Sequence, residues 1–90
     1  MVTGETKSGF KFEIDPDEVN DIEFLERLGE AGDDVSKMPR IMKEILGEDQ
    51  RKRMYDHIRN EKGKVPIDTA MDIFMEILTI ANEARETKNS

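Results

Sequence analysis

The sequence contains no cysteine and only one histidine. Without cysteine the chain can form neither a disulfide framework nor a thiolate zinc site, which fits a reducing cytoplasm. Zinc in proteins takes four ligands, most often from cysteine and histidine, and His57 alone cannot supply such a set. The sequence therefore predicts no structural metal, no cofactor and no covalent cross-link.

Long apolar segments are also missing. No stretch approaches the roughly 18 apolar residues that a membrane-spanning helix needs. The first ten residues, MVTGETKSGF, lack the basic segment and following apolar run of a signal peptide. A chain of 90 residues is long enough for one modest core. We therefore expect a single domain, residues 1–90, in the cytoplasm.

Charged residues make up 39% of the chain, and the formal net charge is −7. Such a composition indicates disorder unless apolar residues recur periodically, and here they recur at helical spacing. The acidity disfavours general binding to nucleic acids or to anionic membranes. The middle differs, because residues 37–64 carry nine Lys or Arg against five Asp or Glu.

The N-terminal segment alternates apolar and charged residues. Phe10, Phe12 and Ile14 fall on one face of an extended chain, with Lys11 and Glu13 on the other. The preceding Ser-Gly pair is typical of a turn. This pattern predicts a β-hairpin at about residues 2–14 whose apolar face packs on helices. Whether residues 1–9 are ordered is left open.

Helix signals follow the hairpin. Asp15-Pro16 is typical of a helix start, and Gly32, Gly47 and Gly63 follow helical stretches. Asn20 or Asp21 either continues or restarts the first helix. The sequence predicts a mainly α, four-helix small domain with an N-terminal β-hairpin, its helices spanning about 16–31, 35–46, 48–62 and 66–85.

The acidic start of the first helix resembles a calcium loop in part. Five acidic residues fall at positions 1, 3, 7, 9 and 12 of such a loop: Asp15, Asp17, Asp21, Glu23 and Glu26. The loop needs an oxygen ligand at position 5 and glycine at position 6, and the chain has Val19 and Asn20 there. The segment is better interpreted as an acid-rich helix start, which the helix dipole favours.

A basic cluster, Arg51-Lys52-Arg53, lies in the third predicted helix. Together with the turn at Gly63, the last two helices have the order of a helix-turn-helix. Residues 67–84 of the second helix, IDTAMDIFMEILTIANEA, are acidic and apolar and include no arginine that would contact phosphates or bases. The cluster is better explained as a solvated helix face with ion pairs such as Asp49–Arg53 and Asp56–Arg59.

No catalytic set is recognisable. His57 has no identifiable catalytic partner, and the serines fall in turns, caps or the terminus. The chain has no glycine-rich phosphate loop. We therefore expect a protein that is not an enzyme.

The last helix is apolar over an unusually wide arc. A normal core stripe is formed by Ala70, Met71, Phe74, Ile77, Leu78, Ala81 and Ala84, while Ile73, Met75 and Ile80 lie on adjoining faces. Such a helix is either central in its own domain or shared with another chain. In the second case the contacts expected with a partner are Ile73, Met75, Ile77 and Ile80. Six methionines would add an adaptable apolar surface.

Three short motifs resemble a known family. They are Gly47-Glu48-Asp49-Gln50 at a helix start, Tyr55-Asp56-His57, and Gly63-Lys64-Val65-Pro66 before the last helix, all preceded by SGFKFEID. With this spacing the chain, from about Lys7 to Ser90, resembles the small tail assembly chaperones of long-tailed (siphovirus-type) phages and prophages of Gram-positive bacteria.

The resemblance implies a function in the host cytoplasm. Such chaperones bind the helical tape-measure protein, shield its apolar surface before the tail tube assembles, and are absent from the mature virion. In many of these phages a ribosomal frameshift makes a longer form that engages tube subunits, and an A-rich sequence encoding Lys88-Asn89-Ser90 would be compatible with it. The alternatives are another phage structural or adaptor protein, such as a head–tail completion component, and a DNA-binding regulator. A homo-oligomer is also left open.

Overall fold

The computed structural model describes residues 1–89, with side chains described as far as Ala84. It confirms the mainly helical fold with an N-terminal hairpin. The elements in chain order are β1 (Val2–Glu5), β2 (Lys11–Ile14), α1 (Pro16–Val19), α2 (Ile22–Asp33), a 3-10 turn (Val35–Lys37), α3 (Met38–Ile58) and α4 (Ile67–Asn89). None of the helices in residues 1–89 is long and apolar enough to cross a bilayer.

The hairpin forms at the predicted place. The strands pair antiparallel, with Val2 opposite Ile14. The chain reverses where the backbone N–H of Gly9 donates to the carbonyl of Thr6 at 2.9 Å. Gly9 has a φ of 92°, a backbone conformation that residues other than glycine rarely adopt. The predicted apolar face is buried, with Phe10, Phe12 and Ile14 at 3% exposure or less.

Side chains of α3 close the outer edge of β2. The amide of Gln50 accepts from the backbone N–H of Glu13 at 2.7 Å and donates to the carbonyl of the same residue at 2.7 Å. Arg53 donates to the carbonyl of Lys11 at 3.0 Å. These hydrogen bonds join the hairpin to α3 through backbone groups that would otherwise be free to pair with a third strand.

The sequence left open whether Asn20 or Asp21 continues or restarts the helix predicted over 16–31, and the structure shows a restart. α1 ends at Val19, and Asp21 begins a new helix by accepting a hydrogen bond from the backbone N–H of Glu23 at 3.0 Å. The restart has a physical basis, because a carboxylate at the cap satisfies a donor that the first helical turn leaves free. Gly32 does not end α2, which continues to Asp33.

The predicted interruption at Gly47 is confirmed, because its φ of 79° and ψ of 165° are not helical and divide α3 (Met38–Ile58) at a kink. The ends of the last two predicted helices differ from the structure. α3 stops four residues before the predicted end at Lys62, because Asn60 accepts from two later backbone N–H groups and builds a turn. The last helix continues beyond the predicted Arg85 to Asn89. Ser90 lies outside the described residues.

The core gathers around α4. Phe74, Ile14, Met54 and Ile77 are the largest side chains that are almost completely buried, and they come from α4, β2 and α3. Ile73 is also buried, at 5% exposure. The wide apolar arc of the last helix is therefore largely explained by its central position in its own domain.

Replacing Gly47 should be costly. Its φ of 79° and ψ of 165° fall in a backbone region used almost only by glycine, although a Cβ there would meet no atom within 4 Å. We expect Gly47→Ala to lower the free energy of unfolding by about 1–3 kcal/mol, measured by urea denaturation. The matched control is Gly29→Ala in the interior of α2, where open space and a helical backbone predict a gain of about 0.5–1 kcal/mol. Equal effects of the two substitutions would contradict the strain argument.

Candidate functional site: a methionine-lined groove

The four residues predicted to bind a partner do not form one surface. Ile73 and Ile77 belong to the core, at 5% and 0% exposure. Ile80 is partly buried against that core. Only Met75, at 46% exposure, presents a large apolar side chain to solvent. The predicted site is therefore corrected, since two of its four members are covered by the domain itself.

The basic cluster contacts the domain rather than an open surface. The Arg51 guanidinium lies 5.5 Å from the centre of the Tyr55 ring, and that of Arg53 lies 5.0 Å from the centre of the Phe10 ring. These distances are within the range of cation–π attraction. Lys52 pairs with Glu48 at 3.6 Å on the exposed side. Two of the three cations thus support the packing of α3.

Arg59 forms the predicted ion pair with Asp56, at 3.0 Å, and also donates to the carbonyl of Gly63 at 3.0 Å. It therefore stabilises the turn that leads into α4. Arg53, expected to pair with Asp49, instead donates to the hairpin. The basic segment is positioned by these local contacts.

His57 contacts the hairpin turn. Its Nε2 lies 3.0 Å from the Ser8 hydroxyl, and its ring centre is 5.6 Å from that of Phe10. In the described part of the chain no carboxylate is hydrogen-bonded to this pair, and no group of three or more His, Asp or Glu side chains is placed to hold a metal. Asp15 and Asp21, the leading acids of the calcium-like segment, cap helices instead. The pair's evident contribution is to join the hairpin to the end of α3.

An apolar groove lies between the 3-10 turn, α3 and the start of α4. Its volume is about 580 Å³. The residues that line it are Val35, Ser36, Met38, Pro39, Met42, Tyr55, Arg59, Val65, Ile67, Ala70 and Met71. Val35 is 47% exposed and Ile67 is 62% exposed, so both leave apolar surface in water. Other apolar side chains, such as Ile22, are exposed singly elsewhere, but here two of them border a concave apolar surface, which makes the groove a candidate binding site.

The groove is built by local sequence. Asp34 caps the 3-10 turn that carries Val35, and Met38 and Pro39, in the first turn of α3, both line the groove. The Tyr55 hydroxyl lies 3.8 Å from the sulfur of Met42 and orients that side chain. Among the described residues, Arg59 is the one charged side chain that lines the groove. The result is an apolar surface with one cation at its edge.

Sequence reasoning missed this groove. Three of the six methionines, Met38, Met42 and Met71, meet in it. Methionine adapts its shape to different apolar partners, which was noted as a property of the whole chain but not assigned to a place. Met38 and Met42 are one helical turn apart and signal a shared face, whereas the contribution of Met71 depends on how α4 packs.

Substitutions of Ile77 and Met75 should separate core from surface. Ile77→Asp places a carboxylate in a site with 0% exposure, and we expect the chain to lose most of its stability. Met75→Asp is made on the exposed side of the same helix and should change the free energy of unfolding by no more than about 0.5 kcal/mol. Circular dichroism with urea denaturation measures both. A stable Ile77→Asp protein would overturn the packing described for α4.

The groove's cap should respond to acid. Hydrogen bonds from the Ser36 hydroxyl and backbone N–H hold the pKa of Asp34 below its ordinary value of 3.8. The folded state thus favours the ionised carboxylate, so this contribution to stability is present above pH 3.8 and is lost as the pH falls through the lowered pKa. Ser36→Ala should move the pKa of Asp34 up towards 3.8 in a carboxyl NMR titration. Ser8→Ala, which does not touch Asp34, is the control, and an unchanged Asp34 titration in Ser36→Ala would contradict the assignment.

Comparisons of the chain with protein-family models, with curated proteins and with solved structures give no match. The resemblance to tail assembly chaperones therefore has its basis in the sequence motifs. The groove provides separate, chemical grounds for a function in binding.

Proposed function

We propose that this protein is not an enzyme but binds an apolar helical segment of another protein in the methionine-lined groove. The specific function we propose is that of a phage tail assembly chaperone, which holds the tape-measure protein in the host cytoplasm before the tail tube forms and does not enter the virion. The observation that carries the binding function is the groove bordered by exposed Val35 and Ile67. The choice of tape-measure protein depends on the sequence resemblance.

The shape and composition of the groove suit a helix. An amphipathic helix recognised in a groove inserts apolar side chains from one face, spaced three or four residues apart. Met38, Met42 and Met71 give the groove walls that can repack around side chains of different shape. A chaperone that meets successive segments of a long helical partner needs this tolerance, because no two segments present identical side chains.

The charge in the groove indicates which charged residues the partner helix carries beside its apolar face. Most cations of the basic segment 37–64 do not line the groove, since Arg53 contacts the hairpin and Lys52 pairs with Glu48. Arg59 lies in the groove itself. We therefore propose an amphipathic helix with acidic residues beside its apolar stripe, because opposite charges increase the association rate and fix orientation.

The alternatives make different demands on the same residues. A DNA-binding regulator of helix-turn-helix type would use α4 for recognition, yet Ile73, Phe74 and Ile77 of that helix are in the core. A head–tail completion component would share the apolar groove but remain in the particle. Detection of the protein in purified virions would replace the chaperone by that second function.

Substitutions in the groove should weaken partner binding. Val35→Asp and Ile67→Asp each put a carboxylate on an exposed border of the groove, so the fold should tolerate them. We expect each to weaken binding of helical peptides from the tape-measure protein by about tenfold or more, measured by isothermal titration calorimetry.

The matched control is Ile22→Asp, because Ile22 is 69% exposed on α2 and does not line the groove. Its affinity should equal that of the unsubstituted protein, and urea denaturation should show that all three variants fold. If folded Val35→Asp and Ile67→Asp bound as tightly as the control, the groove would not be the binding site.

A further inference from the structure

In the described part of the chain, backbone N–H and C=O groups on the outer edge of β1 have no hydrogen-bond partner. The N–H of Thr6 donates to the carbonyl of Phe10 at 2.9 Å, which makes this a hydrogen-bonded pair of the hairpin. In an antiparallel ladder such pairs alternate along the strand, so Gly4 also turns its N–H and C=O towards β2. Thr3 and Glu5 consequently turn theirs away from the hairpin.

The opposite strand gives the same result independently. The residues facing Thr3 and Glu5 are Glu13 and Lys11. Three of their four outward backbone groups are bonded by α3: Gln50 bonds the N–H and the carbonyl of Glu13, and Arg53 bonds the carbonyl of Lys11. One edge of the hairpin is therefore closed by side chains, while within residues 1–89 no hydrogen bond occupies the corresponding groups of the other edge.

A second groove, of about 490 Å³, lies between β1 and α4. Ile80, partly exposed, supplies apolar surface within it. Three acidic residues, Glu5, Glu76 and Glu83, and one basic residue, Lys7, line the groove. The Glu76 carboxylate accepts a hydrogen bond from the backbone N–H of Lys7 at 2.7 Å. With three negative charges against one positive charge, the open strand edge is bordered by an excess of negative charge.

We propose that this edge binds an extended, basic segment of a partner protein, which pairs with β1 as a third strand. An extended chain is required because Thr3 and Glu5 present donors and acceptors in the spacing of a strand. Lysine or arginine at alternate positions would face the carboxylates. A second copy of this chain fits poorly, because its β1 would bring another Glu5 to an edge that is already acidic.

This site is separate from the methionine-lined groove. The two share no lining residue, and their partners differ in conformation and in charge. The strand-edge site therefore does not depend on the proposed chaperone function, and each can be disproved without the other.

The experiment is an NMR titration with a short synthetic peptide of alternating lysine and valine. The amide protons of Thr3 and Glu5 should shift and exchange more slowly with solvent as hydrogen bonds form, whereas the amide of Gly4, already bonded within the hairpin, should change little. A peptide of alternating glutamate and valine should not bind. Binding that leaves the Thr3 and Glu5 amides unchanged would overturn the proposal.

Two kinds of variant test the contributions of charge and of backbone hydrogen bonds to peptide binding. Glu83→Gln removes charge from α4 without touching the hairpin, and together with Glu5→Gln it should weaken binding by about tenfold at low salt. Thr3→Pro removes one outward N–H, which an edge strand tolerates, and should weaken binding to a similar extent while the Thr6 and Gly4 amides keep their positions. Val35→Asp should bind the peptide normally.

Unchanged affinity in the Glu5→Gln, Glu83→Gln protein would remove the charge argument and overturn the proposal. Sedimentation of the protein alone provides the last control. Dimers that form without peptide and are lost in Thr3→Pro would assign the edge to a second copy of the chain and would also overturn the proposal.

Discussion

The fold depends on covering α4. The helix carries apolar residues over most of its circumference, and Phe74, Ile77 and Ala81 are completely excluded from solvent. Burial of a side chain such as phenylalanine or isoleucine stabilises a protein by about 1.5–3 kcal/mol. Net stabilities of small domains are only about 5–15 kcal/mol, so these few residues decide whether the chain folds. β1, α1 and α3 lie against α4, and Phe12, Ile14 and Met54 belong to the same core as its apolar side chains.

The basic middle of the chain contributes to this arrangement through contacts that a linear charge pattern does not reveal. Arg51 and Arg53 use the faces of aromatic rings, and Arg59 fixes the turn before α4. Exposed ion pairs such as Lys52–Glu48 add little, about 0–1 kcal/mol each. The basic cluster was interpreted from sequence as a solvated helix face rather than a nucleic-acid contact. In the structure it also helps to pack the hairpin against α3.

Signals that act over a few residues were predictable. Asp15-Pro16, the Ser8-Gly9 turn and the interruption at Gly47 each follow from the conformational preferences of the residues themselves. The fold class follows from them together with apolar periodicity. Helix ends were less predictable. The side-chain oxygens of Asp21, Asp34 and Asn60 accept hydrogen bonds from backbone N–H groups, and whether they do so or the helix continues depends on the surrounding structure.

Features that join distant parts of the chain were not predictable in this way. The Gln50 side chain is hydrogen-bonded to the backbone of Glu13, 37 positions away in the sequence, and no local sequence pattern around either residue predicts this contact. The methionine-lined groove likewise depends on where the start of α4 lies against α3. The partner-binding residues predicted on α4 illustrate the reason, since helical periodicity identifies the apolar residues but not which neighbour covers them.

The position of the two grooves follows from what a chain of this size can cover. The hairpin lies against α3 and α4 at one end, where Phe10 and Phe12 complete the core. No described element covers the opposite end in the same way, so Val35 and Ile67 remain exposed beside buried methionines. A two-stranded hairpin also has two outer edges with backbone groups that no further strand bonds. Side chains of α3 bond groups on the β2 edge, whereas the β1 edge is left open among the described residues. Binding surfaces of a very small domain thus arise where its few elements fail to cover one another, and the charge around each determines what kind of segment can complete it.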